Sequence, residues 1–240
     1  MICLGSIRSP ASNCGIYGFK PTAFRIPTDG WCSTAAGADP IAAVIGPLST
    51  SLTGIVLFMR TVIDSKPWLI EPALVPLPWT PTTSPPPTLK IAIMYTDGIV
   101  TPHPPITRAL HEMAALLTTI QNLEVVEWKP HLHDEAWAIL SSLYFPDGGA
   151  ETAAIIAESG EPWLELWEHI IRENPCVKKP SLRKLYYWQE EREAYRKEYA
   201  GVWNATVQRH GEGEGEGGKV VDVILCPAGS GTFKVSILPA

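Results

Sequence analysis

The chain has 240 residues, 45% of them hydrophobic, and nine tryptophans. That composition belongs to a folded globular protein and excludes an intrinsically disordered one. A net charge of −6 provides no basic stripe to neutralise phosphates, so nucleic acid is not expected as a partner.

A chain of this length can form one large domain, burying about 70–75% of its unfolded surface when complete. Five cysteines, Cys3, Cys14, Cys32, Cys176 and Cys226, are odd in number and lack CxxC spacing. They read as free thiols in a reducing cytoplasmic compartment, with neither a disulfide frame nor a zinc site. Met1 leads straight into a motif with no basic and apolar leader, so no signal peptide is expected.

The motif runs Gly5-Ser6-Ile7-Arg8-Ser9-Pro10-Ala11-Ser12-Asn13-Cys14-Gly15-Ile16-Tyr17-Gly18-Phe19-Lys20-Pro21-Thr22. It puts the Ser6 hydroxyl beside a glycine, where little bulk shields it and backbone N–H groups can face a ligand. A nucleophilic serine needs that open approach, together with donors for a developing oxyanion. Small residues around a serine also mark ordinary turns, so the local pattern alone leaves both readings open. Gly15 and Gly18, followed by Lys20-Pro21, predict a short helix that ends in close backbone packing. Ser6 is expected at the start of that helix, open to solvent, with Ser9 and Ser12 structural.

Residues 23–39 are punctuated by Gly, Thr and Pro and read as a surface loop around Trp31. Residues 41–59 are uncharged, but Pro47 and the Ser49-Thr50-Ser51 cluster leave an apolar run too short to span a membrane. Ser49 to Asp64 reads as a helix whose stripe is Leu52, Ile55, Val56, Met59, Val62 and Ile63. The proline density over 67–88 excludes helix and central strand, leaving an extended surface connection. Leu89–Tyr95 reads as a buried strand. Pro105–Gln121 reads as a helix on Ile106, Leu110, Met113, Leu117 and Ile120, and Glu124–Trp128 as the next strand. Those three form a βαβ unit with parallel strands.

Helices are predicted over Asp134–Tyr144 and Ala150–Ser159. A longer one, Leu182–Thr206, carries Leu185, Trp188, Tyr195, Tyr199 and Trp203 on one face, supported by a Glu193–Lys197 pair. Residues 211–218 alternate glycine with glutamate and read as a flexible loop. Val220–Cys226 is the last strand. The alternation makes the class α/β, a mixed β-sheet covered by helices on both faces. Asn204-Ala205-Thr206 matches a glycosylation acceptor by chance.

Two rival constellations are weak. His131-x-His133 beside Asp134 and Glu135 could suggest a metal, but no third ligand has diagnostic spacing, and a solvated loop is the better reading. Asp147-Gly148-Gly149 reads as a turn between two helices and not a phosphate cradle.

Residues Gly5 to Thr22 resemble, without a gap, the amidase-signature motif Gly-Thr-Asp-x-Gly-Gly-Ser-Ile-Arg-x-Pro-Ala continuing through Gly-x-x-Gly-x-Lys-Pro-Thr. Ile45-Gly46-Pro47-Leu48, Pro76-Leu77-Pro78-Trp79, Pro102-His103-Pro104-Pro105 and Ser142-Leu143-Tyr144-Phe145-Pro146-Asp147-Gly148-Gly149 are similar to the fungal acetamidase-like branch. The resemblance covers roughly residues 5–231. It implies a partial amidase-signature fold and hydrolysis of a small-molecule linear amide by a Ser–Ser–Lys triad, with no cofactor and no metal. Ser6 maps onto the nucleophile, and the backbone N–H groups of Leu4, Gly5 and Ser6 onto the oxyanion hole.

The triad lysine and bridging serine lie N-terminal to the nucleophile in the family, whereas only Met1-Ile2-Cys3-Leu4-Gly5 precedes Ser6. Leu4 replaces a glycine and Ile2 an aspartate. Lys20, the only lysine close in sequence to Ser6, is not the family's base. At the far end, Val220–Gly231 resembles a family strand and its Cys-Pro-Ala-Gly loop, while residues 232–240 resemble nothing in the family. The expectation is a single incomplete amidase domain over 1–240. It could stem from a truncated gene model or a degenerate copy, and act either as an amide hydrolase or as a non-catalytic remnant that binds a small molecule or a partner protein. Uncovered sheet edges and apolar surface would make the isolated chain prone to associate. No oligomeric state follows from the sequence.

Overall fold

The computed structural model describes residues 5–31, 34, 37–81, 87–207 and 220–231. Leu4, the Gly/Glu stretch 211–218 and residues 232–240 lie outside these. The class is α/β, as the alternation of elements predicts.

The N-terminal unit begins with helix α1 (Arg8–Cys14) and strand β1 (Tyr17–Gly18), which pairs antiparallel with β2 (Leu48–Ser49). Helix α2 (Leu52–Asp64) follows. It starts at Leu52, three residues later than the predicted Ser49, because Ser51 is its cap, its hydroxyl accepting from Gly54 N at 3.0 Å, while Ser49 belongs to the ladder. Ile55, Met59 and Ile63 are buried, and Met59 and Ile63 form a core with Ile26, joined by Val62, Trp68 and Trp79. The proline-rich connection starts with a 3₁₀ turn, Pro67–Leu69, turns again over 72–74, and meets residues 24–29 through Glu71, Val75 and Leu77. Val75 N donates to Phe24 O at 2.9 Å, and Arg25 Nη1 donates to Leu77 O at 2.5 Å.

The second unit is a parallel three-stranded sheet. Strand β3 (Leu89–Ile93) lies between β4 (Leu123–Glu127) and β5 (Val223–Leu225), with Ile91 opposite Val125 on one side and Val223 on the other. Helix α3 (Pro104–Thr118), opened by two prolines at positions that need no intrahelical N–H donor, links β3 to β4. The predicted βαβ unit is therefore present. Parallel and antiparallel pairings both occur, in separate sheets among the described strands.

Side chains alternate across a strand, so Lys90, Ala92 and Met94 share one face of β3, and Ile91 and Ile93 the other. Helix α7 (Leu182–Asn204) covers the first face: Tyr199, Val202 and Trp203 pack on Ala92, Trp128 and Val221. Ile91 at 7% exposure and Ile93 at 1% show that the opposite face is covered too. Lys90 is held on the α7 side by Thr206 O at 3.2 Å and Glu124 at 3.0 Å.

Helices α4 (His133–Tyr144) and α5 (Ala150–Ser159) are joined by the Asp147 turn. The Asp147 carboxylate accepts from Gly149 N and Glu151 N, satisfying first-turn donors of α5, so the stretch is a helix-capping turn. Two short pieces were not legible in the sequence, α6 (Glu165–Trp167) and a π-helical turn over Glu168–Arg172. The turn is pinned by Arg172, which pairs with Glu168 and lies over the Trp163 ring at 4.2 Å.

Three expectations need correction. Glu193 pairs with Arg192 and Arg196, whose guanidinium groups reach it at 2.9 and 3.2 Å, and not with Lys197. His131, on the loop before α4, and His133, its first residue, are half-buried under α7 and not solvated: His131 Nε2 meets Glu198 at 2.8 Å, and the His133 ring stacks on Tyr199. The apolar stripes of α2 and α3 are only partly covered, since Leu52, Val56, Met113 and Ile120 are exposed.

Candidate functional site

Ser6 lies two residues before α1, exposed, beside a half-buried Gly5. What fixes it there is the packing of α1. Ser9 N donates to Gly5 O at 2.7 Å and Ala11 N to Ile7 O at 3.3 Å, so the residues flanking Ser6 are tied into the helix. Pro10 is harmless this early, because first-turn N–H groups have no intrahelical acceptor. Ala11 is 2% exposed and anchors the inner face.

The helix ends as its glycines predict. Gly15 adopts a left-handed conformation at φ 66°, Gly15 N donates to Ser12 O, and Ile16 N donates to Ala11 O. This is a Schellman closure, which turns the chain sharply back into β1. A Cβ on Gly18 would stand 2.7 Å from Ala11 Cβ and 2.8 Å from Ile7 O. A Cβ on Gly46 would collide with Phe19 O and lie 2.8 Å from Ile7 Cδ1. Two side-chain-free positions therefore let three backbone segments close around the residue that follows Ser6. Ser9 is half-buried, whereas Ser12 is exposed.

Electrostatics bring a distant segment to the motif. Desolvation lowers the Lys20 pKa, and the Arg8 charge lowers it further. Desolvation pushes the Cys226 thiol up, with Arg8 acting in the opposite sense. Arg8 thus senses both Lys20 and the Cys226-Pro227-Ala228-Gly229 loop that leaves β5. The next turn of that loop docks on another motif stretch: His103 N donates to Ser230 O at 2.8 Å. No local signal in the sequence ties Arg8 to a cysteine at the far end of the chain, because the contact depends on where β5 enters the sheet.

Of the predicted site residues, Gly5 and Ser6 are adjacent at the helix entry, and Leu4 lies outside the described residues. Among the described residues the Ser6 hydroxyl has no hydrogen-bond partner. No group of three metal-ligating side chains occurs among them. The arrangement offers an unhindered hydroxyl next to backbone donors, with the cations Arg8 and Lys20 nearby.

Comparisons bear on what such a site does. A family model described as Amidase matches residues 4–236. A Schizosaccharomyces pombe protein named as an amidase is 35% identical over 94% of this chain and 39% of its own length. The acetamidase of Emericella nidulans is 30% identical over 93% of this chain and 40% of its own length. Among solved structures, a fatty acid amide hydrolase superposes with a TM-score of 0.78 at 28% identity, over 84% of this chain and 36% of that one. The chain spans about two-fifths of the length of the curated relatives it matches.

Proposed function

The chain belongs to the amidase family, and on that premise we propose that it forms part of a single amidase domain hydrolysing small linear carboxylic amides through an acyl-enzyme on Ser6. The observation that carries this reading is the exposed Ser6 hydroxyl at the entry to α1, held by glycine-mediated packing within the stretch that the family model matches.

In this reading Ser6 Oγ attacks the amide carbonyl, its proton passes to a base, and the carbonyl oxygen becomes an oxyanion. Backbone N–H groups of Gly5 and Ser6, with Leu4, face that oxyanion. Each such donor is worth about a hundred- to a thousandfold in turnover. The C–N bond then breaks, the proton is delivered to the departing amine, and water hydrolyses the acyl ester. The cytoplasm suits a chain whose Cys14, Cys176 and Cys226 are free thiols. No described helix is long and apolar enough to cross a membrane.

The base is the weak point. A serine hydroxyl depends on an adjacent base at neutral pH. Residues 1–5 contain neither the lysine nor the bridging serine that the family resemblance calls for. General-base help is worth about a hundred- to ten-thousandfold, so the 240-residue chain by itself is expected to be inert. The Ser6 hydroxyl, without a hydrogen-bond partner among the described residues, favours, as the second reading, a non-catalytic remnant that binds a small molecule or protein. The test is hydrolysis of acetamide and benzamide by the 240-residue chain and by one extended N-terminally with the family's lysine and Gly-Ser-Ser-Gly-Gly stretch. Activity of the extended chain that disappears in its Ser6→Ala variant supports the hydrolase. No activity in either chain supports the remnant.

A further inference from the structure

The chain is acidic overall, yet residues 178–184 carry Lys178, Lys179, Arg183 and Lys184 and no acidic side chain. Ser181 stands in the middle of them. It is the one serine or threonine of the sequence with two cations among the three residues before it. Leu182 follows, 63% exposed.

The fold presents this stretch outward. Residues 177–181 belong to neither helix nor strand, and Lys178, Lys179 and Ser181 are exposed. Their backbone is nevertheless held in place, because it runs along the turn between α4 and α5. A Cβ on Gly148 would stand 2.9 Å from Lys179 N. Among the described residues none of the four cations pairs with a carboxylate, and the Lys184 ammonium lies over the Tyr187 and Trp188 rings at 3.7 and 4.6 Å. The exposed hydroxyl therefore sits in a concentration of positive charge that the chain itself leaves unneutralised. A partner that approaches it with acidic groups is favoured, and one that leaves negative charge behind is favoured as well.

We propose that Ser181 is a phosphorylation site for a serine kinase that reads cations before its target residue. Acidic groups of such a kinase's cleft pair with Lys178 and Lys179, and an apolar surface takes Leu182. The γ-phosphoryl group of ATP passes to Ser181 Oγ, the hydroxyl proton goes to the kinase's catalytic base, and ADP departs. The product adds about two negative charges at neutral pH. Ser181 is the N-cap of the 23-residue α7, its hydroxyl accepting from Lys184 N at 3.3 Å. Phosphate oxygens take over that acceptor role at the positive end of the helix, with the four cations around them. The modification thus tightens the start of the helix that covers Ala92 and Trp128. The assignment rests on neither Ser6 nor amide hydrolysis.

The test uses the folded 240-residue chain with ATP, Mg²⁺ and the catalytic subunit of cAMP-dependent protein kinase, read by peptide mass mapping. The expected result is a phosphate on Ser181 that is absent in Ser181→Ala and forms at an unchanged rate in Ser6→Ala. Replacing Lys178 and Lys179 together by Ala should lower the kinase's kcat/KM about tenfold or more. Ser181→Ala also removes the cap, so the lysine variant, which keeps it, reports recognition separately. Phosphorylation should raise the thermal midpoint by about 1–4 °C, the scale of a charge placed at a helix terminus. Four results would overturn the proposal: no phosphate on Ser181, phosphate only after the chain is unfolded in urea, an equal rate in the lysine variant, or a midpoint that does not rise.

Discussion

Gly18 shows how much a single missing side chain contributes to this site. Its absent Cβ is the space in which Ala11 and the Ile7 carbonyl sit. Gly18→Val would drive its side chain into Ala11 Cβ and the Ile7 carbonyl, and destabilisation of about 1–3 kcal/mol is expected from overpacking. Gly201 provides the contrast: it lies in the interior of α7, and nothing stands within 4 Å of its would-be Cβ. Gly201→Ala should stabilise by about 0.5–1 kcal/mol, because it removes a helix-interior glycine at no steric cost. Urea midpoints of the two variants check both signs. At this scale the sequence was informative where chemistry is local. Gly15 and Gly18 announced the helix end and the close approach. Gly46 did not announce itself as packing, since its collision partner, the Phe19 carbonyl, is distant in sequence and meets it only across the β1–β2 ladder.

Elements followed the same division. The strands of the βαβ unit and α5 were read within a residue or two, because short apolar runs and helical periods survive without knowledge of neighbours. The π-helical turn was not legible, because its i to i+5 bond from Glu173 N to Glu168 O leaves no period of its own in the sequence. The contact between α4 and α7 was also hidden, although it fixes the aromatic face of α7. Tyr195 OH donates to His131 O at 3.0 Å. Desolvation, then Tyr199, Glu198, Glu135 and Asp134, push the Tyr195 pKa from 10.0 up to about 12. A group with a raised folded pKa contributes stability that is full below its unfolded value and lost as pH rises through the folded one. Stability should therefore fall between about pH 10 and 12, and less steeply in Tyr195→Phe. The variant should also lose about 1 kcal/mol at neutral pH with its hydrogen bond. Absorbance titration of phenolate together with denaturation at stepped pH measures both effects.

For the whole molecule, the described residues expose more large hydrophobic side chains than they bury. The sequence foresaw the apolar stripes of α2 and α3, of which Leu52, Val56, Met113 and Ile120 are exposed. Periodicity reports which residues want cover, and cannot report whether this stretch of chain supplies it. The catalytic account has the same shape. On the proposed reading Ser6 has its glycine-built setting, while residues 1–5 supply neither the lysine nor the bridging serine. The most direct measurement is covalent labelling of Ser6 by a fluorophosphonate, located by peptide mass mapping, since that reagent reports an activated serine. The account predicts no label on the 240-residue chain, and a label on Ser6 once the N-terminal lysine and bridging serine are supplied. Labelling of Ser6 in the 240-residue chain, abolished in Ser6→Ala, would contradict it by showing that a base is already in place.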